Sequence, residues 1–208
     1  MTIKFTVPEN FSEVTVRQHR QIMRAWEMDS NPGRVEAIIA AICKIKLDIA
    51  SALGVSVVEE ILGTVAWMRA TPSPGLFPLK KFFTLDGVDY GFINNMTNLT
   101  LGEYVDLESR AETGFYDGMA GVLAILYRPV VTKTMNQYTI EPYNDDPDRR
   151  EAMEECPMDV ALGAMLFFWS TAKTLSLATL QSLAREDQAQ LEKSGDGTES
   201  STTSPEET

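Results

Sequence analysis

The chain has 208 residues, with 30 acidic against 18 basic side chains, for a formal charge of −12 and a pI near 4.5. A surface field of that sign disfavours nucleic acid and anionic membranes and favours basic partners. Hydrophobic residues make up 44% of the sequence, enough to build the core of one domain or two small ones without metal or disulfide staples.

Ile3, Phe5 and Val7 alternate with polar residues up to Pro8, which predicts a short opening strand. Thr15 and Gln18 have capping-box spacing, and Val16, Ile22, Met23 and Trp26 are the apolar positions of a helix ending before Asn31. Asn31 and Pro32 then suit the N-cap and first position of a second helix, apolar at Val35, Ile38, Ile39, Ile42, Ile45 and Ile49, with a break before Gly54. A third helix is expected from a Ser56–Glu59 box, burying Val57, Val58, Ile61, Leu62, Val65 and Met68.

Three prolines and a glycine fall between Thr71 and Leu79, so residues 71–81 read as a linker between an N-terminal helical subdomain, 1–70, and a second one, 82–186. Phe82–Leu85 and Val88–Ile93 flank Asp86-Gly87, a dipeptide that accepts the positive φ angles of a type I′ hairpin turn. Thr100 and Glu103 open the next helix, with Tyr104 placed to staple onto Leu99. Asp117 to Tyr127 continues as helix and stops at Arg128-Pro129, because a residue before proline avoids helical angles.

A second hairpin is expected from Val130–Thr134 and Gln137–Ile140, turning at Met135-Asn136 and setting Arg128 beside Glu141. Asp145 to Glu155 reads as an acidic loop and short helix. Pro157 then opens the strongest helix, Met158 to about Glu186, whose first half is apolar all round and so is wrapped by others. From Glu186 onward there are seven acids and one lysine, half of the net charge, and the polar run after about residue 190 predicts a disordered tail, 187–208. The fold class that follows is mainly α, a helix-dominated α+β body with one or two small hairpins. Thr15 and Thr100 also begin similar capped starts 85 residues apart, a short internal echo.

Cys43 and Cys156 are far apart, and no charged, apolar, small-residue leader opens the sequence, which suggests a reducing compartment. The N-x-S/T sequons at Asn10, Asn95 and Asn98 then read as chance. The apolar run from Val160 to Trp169 is about half of what a bilayer crossing needs. His19 is the sole histidine and lies among Arg17, Arg20 and Arg24, where an exposed surface role is expected. Neither thiol has a CxxC partner, so zinc is not expected.

Asp145, Asp146, Asp148, Glu151, Glu154 and Glu155 lack calcium-loop spacing, and Arg149 and Arg150 interrupt them, so they read as acids at a helix start. Gly114, Gly118 and Gly121 match no phosphate loop and point to close helix packing. Phe167, Phe168 and Trp169 point in different directions on one helix and read as packing residues. Arg128 and Glu141 are the pair most expected to meet, as an ion pair closing the second hairpin; with Tyr127 and Tyr143 they form the candidate structural or interaction residues.

Five strings carry a resemblance: PENFSEVTVRQHRQI (Pro8 to Ile22), LTLGEYVDL (Leu99 to Leu107), MAGVLAILYRPV (Met119 to Val130), YTIEPY (Tyr138 to Tyr143) and PMDVALGAMLFFW (Pro157 to Trp169). Together they resemble tailed-bacteriophage proteins encoded among virion-assembly genes, some of them labelled tail assembly chaperones. The resemblance implies a non-enzymatic morphogenesis protein in the host cytoplasm, without catalytic residues, cofactor or metal, that binds another phage structural protein such as the tape measure. A structural place in the head, neck or tail of the virion is the alternative that it implies. A carboxylate-based enzyme centred on Asp145 to Glu155 is a third, more distant reading.

Overall fold

The computed structural model describes residues 5–29, 32–69, 72–73, 75–93, 95–96, 99–134 and 137–171. The chain divides into two compact units, Met1–Phe167 and Phe168–Thr208. Of the second unit the described residues are 168–171, which are helical, with the Phe168 and Trp169 rings 5.3 Å apart. The expected tail therefore lies outside the described residues.

The first unit contains helices α1 (Val16–Glu27), α2 (Pro32–Cys43), α3 (Leu47–Ser51), α4 (Val55–Thr64), α5 (Leu101–Glu112), α6 (Met119–Leu126) and α7 (Pro147–Met153). Residues 158–167 form the start of an eighth, α8. Strands β1 (Phe82–Leu85), β2 (Val88–Phe92), β3 (Tyr127–Lys133) and β4 (Tyr138–Ile140) make one antiparallel sheet in the order β1-β2-β3-β4. The molecule is thus helix-dominated α+β, as expected, but its two hairpins are joined into a single sheet.

That joining changes the reading of Tyr127 to Pro129. Tyr127 is not the last residue of a helix: α6 stops at Leu126, and β3 begins at once, pairing Phe92 with Tyr127, Gly91 with Arg128 and Tyr90 with Pro129. The β2 edge left open by the first hairpin supplies the partner, a non-local contact that local proline sterics do not report. Gly91 lies beneath the Tyr138 ring, where a Cβ would come within 2.7 Å of a ring carbon.

Other local expectations shift for similarly specific reasons. Residues 5–9 form no strand; the short 3-10 turn Phe11–Glu13 follows, capped by Asn10. Residues 1–4 and Asn31 lie outside the described residues. The second predicted helix breaks after Cys43, where Lys44 takes φ 52°, and resumes as α3. Ser56 does not cap α4: Gly54 precedes it without a side-chain bond, and Val57 is exposed rather than buried.

At α1 only half of the expected capping box forms. Thr15 accepts from the Gln18 N–H, while the Gln18 side chain donates to the carbonyls of Ala41 and Ile42, tying α1 to the end of α2. The Thr100–Glu103 box of α5 is complete.

The core sits around α6, whose eight residues are all buried, and α8, buried from Met158 through Met165 except at Asp159. Three glycines serve helix packing and turning. At Gly118 an added Cβ would lie 2.0 Å from the Arg110 carbonyl oxygen, and at Gly121 2.9 Å from the Arg110 side chain. Gly114 provides the positive φ, 111°, between α5 and α6.

The N-terminal helices join the C-terminal part of the same unit through main-chain bonds. Val16 N–H donates to Cys156, Arg17 N–H to Glu154 and Met158 N–H to Val14. Residues assigned by sequence to separate subdomains on either side of 71–81 therefore share one compact unit.

Candidate functional site

Arg128 follows Tyr127 on β3, so the two side chains leave opposite faces of the sheet. Tyr127 is fully buried; its ring packs edge-on against Phe83 and Phe92, and its hydroxyl donates to the Lys80 carbonyl. Arg128 turns toward α5, where its Nη2 lies 2.9 Å from Glu103 Oε1. The complete capping box positions that carboxylate, since its other oxygen accepts from the Thr100 N–H.

Arg128 and Glu141 come together, though not as the ion pair expected from the hairpin. Arg128 Nη1 donates to the Glu141 carbonyl oxygen at 3.3 Å, while the Glu141 carboxylate faces Arg149 Nη2 at 3.3 Å. Glu103 wins Arg128 because its backbone-anchored carboxylate is buried beside it, whereas the Glu141 side chain remains half exposed. Tyr143 completes the group: its ring centroid is 6.0 Å from the Arg128 guanidinium carbon, and its hydroxyl donates to Asp106.

Arg149, on α7, is 5% exposed and also reaches both the side-chain and main-chain oxygens of Asn144. The Nε atoms of Arg128 and Arg149 are buried without a hydrogen-bond partner. Burial lowers the Arg128 pKa from its ordinary value, opposed by the Glu103 charge. Burial likewise raises the Tyr143 hydroxyl, reinforced by its bond to Asp106. The group ties α5, β3 and α7 together, with the carboxylates as charge partners of the two guanidinium groups.

The acidic run is similarly engaged by arginines. Arg20 holds Glu154 through two 2.8 Å bonds, Arg17 bridges Glu151 and Glu155, and Asp145 faces Arg110 and Arg150. Asp146 caps α7. Among the described residues no group of three or more His, Cys, Asp and Glu side chains is placed to hold a metal ion.

His19 departs from its expected surface position: it is 3% exposed, between the rings of Phe11 and Tyr116, with Nδ1 unpartnered. Burial lowers its pKa to about 4, so it is neutral at physiological pH. The neighbouring arginines leave the other side of α1, where Arg17 and Arg20 meet Glu151, Glu154 and Glu155 at the end of α7 and Arg24 meets Asp117. Both cysteines are buried and reduced, with the thiol pKa pushed up by burial to about 11 at Cys43 and about 12 at Cys156.

A cavity of about 250 Å³ opens between Asn10–Ser12 and Leu76–Pro78, beside Lys80 and Asp159. Its polar groups bond to one another: Lys80 pairs with Asp159, and Asn10 accepts from the Ser12 backbone and hydroxyl. Phe167, read from sequence as a packing residue, is 38% exposed with its ring edge-on to Phe92.

The outer surface presents a different chemistry. Leu101, Tyr104 and Val105 on α5 are 78%, 48% and 53% exposed. Tyr104 extends into solvent, its hydroxyl donating to Glu108. Leu47 and Val55, near the start of α3 and α4, are also exposed. Among the described residues no helix is long and apolar enough to cross a membrane. Comparison with protein-family models, with curated proteins and with solved structures finds no match to this chain.

Proposed function

We propose that this chain is a non-enzymatic bacteriophage morphogenesis protein, a tail assembly chaperone that holds another tail protein, such as the tape measure, in assembly-competent form. The supporting observation is the exposure of Leu101, Tyr104 and Val105 at helical spacing inside Leu99 to Leu107, one of the strings that carry the resemblance. Apolar side chains aligned on one helix face and left in water suit a surface that covers apolar parts of a client. The acids from Asp145 to Glu155 supply charge to arginines on α1, α5 and α7, a use that favours structure over acid–base chemistry.

Co-expression with a tail tape-measure protein tests the reading. The expected result is a soluble tape measure that co-purifies with this chain. An insoluble tape measure with no complex, together with abundant copies of this chain in purified virions by mass spectrometry, would instead favour the structural virion component.

A further inference from the structure

Helix α5 has sharply different sides. Glu103 and Leu107 are buried, while Leu101, Tyr104, Val105, Glu108 and Glu112 are exposed. At 3.6 residues per turn these five fall within about 100° of arc, on a stripe roughly 16 Å long. The stripe is divided along its length: its first turn is apolar and its remainder is acidic.

Neither half is explained by the fold of the isolated chain. Leu101 is 78% exposed and so contributes little burial. Glu112 ends the helix, where the macrodipole disfavours an anion. Among the described residues Glu108 and Glu112 have no ion-pair partner: Tyr104 donates to Glu108, and Arg110, the cation of the same helix, faces Asp145. A partner that covers the apolar turn and brings cations to the acidic one would remove both costs.

The geometry points to this face of α5 as the docking surface for an amphipathic helix of another protein, with apolar side chains over Leu101 and Val105 and Lys or Arg over Glu108 and Glu112. Charge complementarity selects that occupant over a second copy. The arginine-rich helix of this chain, α1, already pairs Arg17, Arg20 and Arg24 with Glu151, Glu155, Glu154 and Asp117. The inference rests on the assembly reading in taking another protein as partner; the stripe itself does not specify a tail protein.

The test uses the full chain and a fluorescently labelled synthetic helical peptide with two Leu on successive turns followed by two Lys. Two control peptides replace Lys by Glu or Leu by Ser. Anisotropy should show binding of the first peptide only, weakening as salt rises. Leu101→Gln with Val105→Gln, and separately Glu108→Lys with Glu112→Lys, should each raise Kd by at least about tenfold. Val55→Gln on α4 should leave it unchanged, and circular dichroism should show every variant folded.

Equal binding of the control peptides, unchanged Kd in the α5 variants, or self-association of the chain through this face would overturn the proposal. The same variants carried into the tape-measure co-expression separate the two readings. If wild type and α5 variants solubilise the client equally, the docking surface is wrong and the chaperone reading stands. If the peptide binds α5 as described and the client stays insoluble, the surface stands and the tail reading falls.

Discussion

The Arg128 guanidinium lies 2.9 Å from Glu103 with both side chains at or below 10% exposure, so the ion pair that joins β3 to α5 is withdrawn from water. Such a pair contributes little net stability against an apolar substitute, yet losing one partner strands a buried charge. Arg128→Met should therefore destabilise by about 3–5 kcal/mol in urea unfolding. Glu103→Gln should cost on the order of 2 kcal/mol or more, since it weakens the capping box as well. The double variant should cost less than the sum, with a coupling of at least about 1 kcal/mol. Additive losses would show that the pair does not act as a unit.

His19 sets a pH dependence whose sign follows from its lowered pKa. The unfolded chain takes up a proton near the ordinary value of 6.5, and the folded chain only near 4. Stability from this residue is thus complete above about pH 6.5 and falls toward pH 4, by on the order of 3 kcal/mol in all. Urea midpoints measured from pH 7.5 to 4 should show that fall, and His19→Phe should flatten it. An unchanged slope in the variant would place the acid sensitivity elsewhere.

Two glycines should respond in opposite directions to alanine. At Gly118 the new Cβ would meet the Arg110 carbonyl oxygen at 2.0 Å, a backbone atom that cannot swing aside. Gly118→Ala should cost about 3 kcal/mol or more. Gly102, in α5, has no atom within 4 Å of that position. Gly102→Ala should stabilise by about 0.5–1 kcal/mol through helix propensity. Thermal melts of both variants check the pair.

Cys43 and Cys156 should resist a thiol reagent at pH 8 in the folded protein, because burial holds both thiols protonated, with pKa raised to about 11 and about 12. Both should react in denaturant. Rapid labelling of either thiol without denaturant would mean that its surroundings open readily.

Much of the local structure was legible because its causes are local. Asp86-Gly87 marked a hairpin turn, which forms with φ of 48° and 80° at those residues. Thr100 and Glu103 marked a capping box that forms in full, and the segments Val130–Thr134 and Gln137–Ile140 pair as β3 and β4, although the expected Met135-Asn136 turn lies outside the described residues and a register shift between Val130 and Thr132 was not legible in the spacing. The apolar run after Pro157 correctly marked a wrapped helix through Met165.

Residues distant in sequence decided the rest. The β2 edge drew Tyr127 and Arg128 into a strand, and Arg128 exchanged its expected partner for Glu103, whose carboxylate was already held by the Thr100 backbone. His19 is buried against Phe11 and Tyr116, while Arg17 and Arg20 meet Glu151, Glu154 and Glu155 at the end of α7 and Arg24 meets Asp117. The sequence by itself determined the Asp86-Gly87 turn and the Thr100–Glu103 cap, since these depend on neighbours within a few residues, whereas Gln18 left its capping box for carbonyls of α2. Only the tertiary structure decided which charges are paired and which apolar side chains stay in water, because both depend on what the folded chain brings alongside.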